Sequence, residues 1–492
     1  MGSVSNNDPG LPRPNPTQAF WQLPPHPDVS AIQSPTLRTE TDIVVIGSGI
    51  TGCSVSKALL EDESFGPIHV TVLEARTLTS GATGRNGGHL VSAAGHKFSD
   101  WVEHHGVEAA RDMARFSLMN VDRVQEILSK MDADIQEKSE IRTVQKLCAV
   151  TDDKLWEHHV NSIKMMAKEV PEHKNHNRLA GAKELNEEWG LIDVVGGYIQ
   201  QAGALWPYRL CTEVFTRLLK AHPDRLAIET HTPVTSVFED PDAADNKAVT
   251  HRYIVTTPRG LIKAKRVVYC TNGFTAHLLP SLRGKIYPFR GHMTTQAVPA
   301  HFPSQGGERS WSLMQPTRLD PQTGSFHFGL YYLQQNAKTK DMFVGTEYQT
   351  IEECLCSDDT FVSEASRKDL PALLPRMFSA VSGDGLEKPT LRAIWSGVMG
   401  MTPDGLPLVG KLPGNATGRE PGEEWIAAGF QGYGMDKCWL TGEALVGMMA
   451  GRDVSSWFPS PYVITEERLA KKMGFEHVWH EYASMVQEKQ RL

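Results

Sequence analysis

The feature that most constrains this chain is a glycine fingerprint set between a strand and a helix. Ile43 to Ile46 is a run of β-branched apolar residues, the pattern of a strand buried on both faces. It runs into Gly47-Ser48-Gly49-Ile50-Thr51-Gly52, and a helix is predicted to follow through Val55, Ala58 and Leu59. A second apolar strand, Ile68 to Leu73, ends at Glu74, 22 positions beyond Gly52. A lone GxGxxG is weak evidence, but inside a β-turn-α-β unit closed by an acid it marks a dinucleotide site. Gly47 permits the tight turn, Gly49 lets backbone approach a pyrophosphate, and Gly52 lets helix and strand pack closely. The helix N-terminus then faces the phosphate charge. Glu74 is placed to accept hydrogen bonds from the adenosine ribose, and its charge disfavours a 2'-phosphate, which argues against NADP.

Two further loops distinguish FAD from an exchanging NAD. Ser80-Gly81-Ala82-Thr83-Gly84-Arg85-Asn86-Gly87-Gly88-His89 follows the second strand, flexible and rich in donors. Far along the chain, Gly429, Gly432 and Gly434 lead into Met435 and a helix, a second turn at which backbone N–H groups can meet a flavin. One nucleotide motif with two such loops fits a single, tightly held FAD.

A chain of 492 residues exceeds what one core organises, so two or three domains are expected. The net charge of -8 argues against nucleic acid as the partner. The seven scattered cysteines form neither a CxxC nor a zinc pattern, so no metal site is expected and the thiols read as reduced. No apolar stretch is long enough to span a membrane, no secretory signal opens the chain, and cytoplasm is the expected location. Residues 101–130 read as helical and 153–190 as polar and helical. Strands are expected near 141–150, 233–239, 252–257, 265–270, through 285–350 and at 424–428, and a helix over 437–449.

These motifs, taken in order, resemble the D-amino-acid oxidase, glycine oxidase and sarcosine oxidase superfamily. The pieces are the fingerprint, Glu74-Ala75-Arg76, Gly84-Arg85-Asn86-Gly87-Gly88 and the strand Val234 to Val237. Asn272-Gly273, Thr402-Pro403-Asp404-Gly405-Leu406-Pro407 and Gly429 to Gly434 complete it. The Gly-Arg-Asn-Gly-Gly form is most similar to the gamma-glutamylputrescine oxidoreductase branch and its fungal relatives. The resemblance implies an α/β fold: a Rossmann-like FAD domain of separated segments, with an inserted α+β, mixed-sheet substrate domain. The FAD domain would comprise 40–135, 190–282 and 390–455, and the substrate domain 136–189 and 283–389. A Pro-rich extension over 1–39 and a helical tail over 456–492 flank them. Relatives contact the adenine side through the Val234 strand, place Asn272 and Gly273 by the pyrophosphate, and bring Gly432, Gly434 and Met435 near the flavin ring.

The family reaction is hydride transfer from the carbon beside an amine to flavin N5, giving an imine that water hydrolyses, with oxygen the expected acceptor. Some relatives attach flavin through a cysteine seven residues before the aspartate of Thr-Pro-Asp. Here that position is Gly397, and the histidine used by others falls at Arg85, so noncovalent FAD is expected, with His89 the residue to watch. The oxygen-activating lysine of monomeric sarcosine oxidases is missing from Ser325 to Gln334. Candidates for the substrate face are His89, Arg290, His292, Tyr331 or Tyr332, and Trp395. Arg290 could hold a carboxylate, only one of two successive strand tyrosines can face a pocket, and Trp395 could roof an amine. Each has a plain structural alternative as a core or hydrogen-bonding residue. An acceptor other than oxygen, a larger N-heterocyclic or N-methyl substrate, and a structural flavin remain open, and nothing in the sequence sets an oligomeric state.

Overall fold

In the computed structural model, which describes residues 8–245 and 250–471, the fingerprint lies between a central parallel strand and a buried helix. That strand, Glu40–Ile46, pairs in parallel with Val70–Leu73 on one side and Gly260–Tyr269 on the other. Leu226–Glu229 extends one side, and Glu424–Ala428 then Leu408–Lys411 the other, with the hairpin Ser236–Glu239/Tyr253–Thr257 appended. Ile43 and Val45 pack toward the helices Ile50–Glu61, Pro207–Ala221 and Cys438–Met449, while Val44 and Ile46 join a second apolar layer on the opposite face. Both faces are therefore covered, as a parallel sheet requires. Each such fully buried aliphatic contributes about 1.5–3 kcal/mol.

The second sheet runs Thr390–Met401, Tyr287–Ala297, Met342–Gln349, Phe326–Gln335, Arg309–Met314, Arg142–Val150, Gly196–Ala204 and His89–Leu90. The last strand belongs to the glycine-rich loop after Glu74, so that loop passes directly from the nucleotide sheet into the second one. Two segments expected in the FAD domain sit otherwise. Gly196–Ala204 pairs with Arg142–Val150, and Thr390–Met401 with Tyr287–Ala297, both within the second sheet. Their apolar patterns specify strands, but a strand's partner is set by distant residues.

Local expectations differ in three other places. The helical stretch expected over 101–130 falls in two helices, Ala94–His105 and Val107–Ser129, separated at Gly106, whose φ of +82° is open to glycine and strained for other residues. The 153–190 stretch holds Asp153–Glu169, a short strand Asn177–Gly181 and Ala182–Trp189. Val234 lies just before the strand Ser236–Glu239, not within it.

The Pro-rich extension, from Asp8 onward, is draped across the body. Thr17 N donates to the Asp359 carbonyl at 2.7 Å, and Ser396 N donates to Thr17 Oγ1 at 2.9 Å. Trp21 is buried, stacked on Phe343 at 4.0 Å and edge-on to Trp206 at 5.0 Å. At the other end the described residues hold a single 3-10 turn, Ser460–Tyr462, and a five-residue helix, Glu466–Ala470. Arg468 anchors it by bonding Asp404 Oδ2 at 2.7 Å and Oδ1 at 3.0 Å. The rest of the tail expected to be helical, 472–492, lies outside the described residues. Among the described residues no helix is long and apolar enough to cross a membrane.

Four buried histidines give the fold a pH dependence. Burial, with help from nearby cations, holds His292 at about 3, His159 and His327 at about 4, and His96 well below the ordinary value. Above pH 6.5 they are neutral in both folded and unfolded chains and contribute no pH dependence. Below it the unfolded chain takes up protons that the folded one refuses, at a cost of about 1.4 kcal/mol per pH unit for each ring. The thermal midpoint is expected to be level above pH 7 and to fall steeply from pH 6.5 toward 4. A midpoint that stays level down to pH 5 would show that these rings titrate in the folded protein.

Candidate active site

The turn after Glu40–Ile46 is as tight as glycine allows. Gly47 has φ +104°, and a Cβ there would lie 2.6 Å from the Cys270 carbonyl oxygen. A Cβ on Gly52 would lie 2.0 Å from the Gly47 carbonyl oxygen, so helix and turn touch through backbone alone. Gly49 caps the helix without any side-chain cap, which leaves its first N–H groups for a ligand. Ile50 N is the exception, donating to Thr83 Oγ1 at 2.9 Å. Glu74 accepts from Ser48 N at 3.1 Å, Ser48 Oγ at 2.7 Å and Arg76 N at 3.0 Å, fixing the turn from below.

This cradle opens into a cavity of about 840 Å³ that reaches the face of the second sheet. Gly47 to Thr51, Glu74 to Arg76, Thr83, Arg85 to His89, Val234, Asn272, Gly432, Gly434 and Met435 all line it. Gly52 and Gly273 stand behind the wall. Gly273 is pressed to the Met399 carbonyl, where a Cβ would come within 2.4 Å. Asn272 joins two loops, its Oδ1 accepting from Gly429 N at 3.0 Å. An uncapped helix N-terminus, an acid at the ribose position and two converging glycine loops around one long cavity suit FAD.

Several expected cofactor donors are engaged elsewhere. Arg76 bonds Asp359 at 2.9 Å. Arg85 donates to the carbonyls of Ser80 at 2.9 Å, Thr17 at 2.7 Å and Ser396 at 2.9 Å. Asn86 accepts from Gly88 N through Oδ1 at 2.8 Å and from Trp21 Nε1 through its carbonyl. These side chains hold the flavin loop in shape against the N-terminal extension. His89 lines the cavity with Nε2 at 2.9 Å from the Leu333 carbonyl, and burial, aided by Lys146, depresses it to about 3.

Four substrate-face candidates lie outside the cavity. Arg290 is fully buried and donates to Gln349 Oε1 at 3.2 and 3.1 Å and to the Asp358 carbonyl at 3.0 Å, beneath the Phe361 ring. His292 accepts from Ser363 N at 3.2 Å. Trp395 donates to the Arg85 carbonyl at 2.9 Å from within an aromatic cluster. Tyr331 bonds Asp369 on the far side of the sheet, which leaves Tyr332, its neighbour, as the tyrosine that faces the cavity. The Tyr332 ring packs so closely on Gly87 that a Cβ there would lie 2.8 Å from Cδ2.

Three further residues on this wall are not among the candidates expected from sequence. Glu347 lines the cavity from the strand Met342–Gln349, and burial pushes its carboxyl up to about 7. Tyr433 stands between the glycines of the second loop, its hydroxyl raised above the ordinary range by burial. Lys146 faces the same space from Arg142–Val150, and burial lowers it. It is the cation of this sheet face, two strands away from the segment where a lysine was sought. A signal existed for each, since a lone charge inside an apolar strand, or a tyrosine between glycines, is unusual unless it faces a site.

Comparison with known proteins bears on the family and the fold. Residues 42–448 match the family model DAO, FAD dependent oxidoreductase. The Saccharomyces cerevisiae protein named "Putative oxidoreductase TDA3" is 37% identical over 71 residues, and that match spans 14% of this chain and 14% of the yeast protein. Glycine oxidase from Geobacillus kaustophilus has a similar structure, with TM-score 0.64, 17% identity, and coverage of 87% of this chain and 99% of that one. L-proline dehydrogenase from P. horikoshii is similar too, at TM-score 0.61 and 20% identity over 87% and 98% of the two chains. The family match covers most of the length and takes in the fingerprint, both glycine loops and the second sheet: the chain belongs to the DAO family of FAD-dependent oxidoreductases.

Proposed function

We propose that the protein oxidises the carbon–nitrogen bond of a small amine or amino acid, with molecular oxygen as the final acceptor. The observation that carries this reading is the single cavity shared by the nucleotide cradle and the sheet face of Tyr332, Glu347 and Lys146. FAD, when bound, supplies the acceptor for the two electrons of a C–H bond beside nitrogen. The nitrogen loses a proton, the resulting imine is hydrolysed by water, and oxygen leaves as hydrogen peroxide. The protein's own tasks are to position that carbon, exclude bulk water and favour the neutral amine. The same desolvation that raises Glu347 to about 7 and lowers His89 to about 3 disfavours an ammonium ion in this space.

Noncovalent FAD is part of the reading. Gly397, with no side chain to offer a thioether, is pressed against Arg85, and His89 is engaged by the Leu333 carbonyl. A cytosolic setting is supported by seven free cysteines. Anaerobic mixing of the yellow protein with a panel of primary, N-methyl and cyclic amines and amino acids tests the chemistry. At least one compound is expected to bleach the flavin, air to restore its colour, and acid precipitation to release it. A flavin that dithionite reduces but no amine bleaches would sink the reading.

A further inference from the structure

The charges around the cavity are nearly all spoken for. Arg76 pairs with Asp359, Lys97 with Asp100 and Lys437 with Asp436, while Arg85 is saturated by carbonyls. Among the acids, Glu74 is bonded to Ser48 and Asp404 to Arg468. Two lining charges stand apart. Among the described residues neither Glu347, 8% exposed, nor Lys146, 5% exposed, has an ion pair or a hydrogen bond to another residue; Lys146 lies 6.0 Å from the Tyr198 ring and near the Cys148 thiol. A buried, unpaired charge is costly, and it is retained where a ligand supplies the missing partner.

Their placement gives the ligand a shape. Glu347 lies on Met342–Gln349 and Lys146 on Arg142–Val150, with Phe326–Gln335 and Arg309–Met314 between them. Three strand spacings across the sheet, and four residues along it because Lys146 is in register with Ser310, Gln334 and Phe343, separate the two backbones by roughly 20 Å. An α-amino acid carries both charges on one carbon and cannot meet both residues at once. The one buried guanidinium of this sheet weighed as a carboxylate partner, Arg290, is turned away from the cavity.

Resting on the amine-oxidation reading above, we propose that the substrate is an elongated zwitterion whose nitrogen sits at Glu347 and whose anionic group, at the other end of the chain, sits at Lys146. The carboxylate of Glu347 receives the incoming ammonium and takes up its proton, leaving the neutral amine for oxidation. Burial raises the proton affinity of this carboxyl, which narrows its gap to the ammonium. Lys146 fixes the far end and thereby sets the length that is accepted.

The test uses the holoprotein under anaerobic conditions, following flavin absorbance with 6-aminohexanoate, 8-aminooctanoate, hexylamine, octylamine, glycine and alanine. The ω-amino acids are expected to reduce the flavin with an efficiency about 10- to 100-fold above the matching alkylamines, the value of one charge-assisted contact. Lys146→Met should bring the ω-amino acids down to the level of the matching alkylamines measured in the same variant, and Glu347→Gln should slow both series. Binding is read separately from the perturbation of the oxidised flavin spectrum by pentanoate, expected to weaken about tenfold in Lys146→Met. Faster reduction by glycine or alanine than by any ω-amino acid, or unchanged pentanoate affinity in Lys146→Met, overturns this inference and leaves amine oxidation standing. Failure of every amine with a dithionite-reducible flavin overturns both.

Discussion

Replacing Gly52 by alanine is expected to give a protein that purifies without its yellow colour. The new Cβ would lie 2.0 Å from the Gly47 carbonyl oxygen and 3.1 Å from its carbon. Both are backbone atoms of a turn already pressed on Cys270, so neither can yield like the end of a flexible side chain. The helix must therefore move away from the turn, carrying with it the N–H groups that face the pyrophosphate. Overpacking of this kind costs about 1–3 kcal/mol of stability. The larger effect falls on FAD, because displacing a preorganised site by an ångström costs on the order of 100-fold. The flavin-to-protein absorbance ratio and the FAD dissociation constant measure it. Gly307→Ala is the control, since a Cβ there meets nothing within 4 Å. A Gly52→Ala protein with wild-type FAD affinity would refute the packing argument.

Trp21→Ala is expected to show the second large effect, on stability and on cofactor retention together. Its ring is stacked on Phe343, meets Trp206 edge-on and donates Nε1 to the Asn86 carbonyl, while Trp206 Nε1 donates to the Trp21 carbonyl. Truncating a buried tryptophan costs about 3–5 kcal/mol, a large share of the 5–15 kcal/mol that holds a typical domain folded. The loss would free the Arg85 to Gly88 loop on one side of the cavity. A drop in thermal midpoint should accompany faster FAD release, followed by the rise in free flavin fluorescence. Trp21→Phe keeps most of the apolar contact but loses the hydrogen bond, and should fall between. Unchanged FAD release in Trp21→Ala would mean that the loop holds its shape without the extension.

The nucleotide half was legible because its signals are local. Gly47, Gly52 and Glu74 each answer to neighbours within one β-turn-α-β unit, so spacing alone reveals them. The substrate wall is different. Arg290 and His292 were attractive by residue type, yet each is held in the core away from the cavity: Gln349 bonds one, and the Ser363 N–H donates to Nε2 of the other. Tyr331 and Tyr332 could be told to face opposite ways by strand alternation, but which one faced the cavity depended on Asp369, 38 positions from Tyr331. Lys146 and Glu347 meet the same space only because the sheet order places their strands three steps apart, and that order is a property of the whole chain. The same holds for Gly196–Ala204 and Thr390–Met401, whose apolar patterns said strand without saying which sheet.

The N-terminal extension also has a temporal consequence. Gly10, Leu11 and Pro12 form part of the cavity wall, yet the groups that hold this segment down, at Asp359 and Ser396, come 342 and 379 residues after Thr17. This segment, made well before its partners, is thus among the last to find its place, because contacts so distant in sequence form late. Until it docks, one wall of the cradle is missing and FAD has a way in. Once it docks, departure of the flavin waits on a local unfolding of this segment. The residence time of the cofactor is then a property of the fold, set by how often a tryptophan leaves its stack.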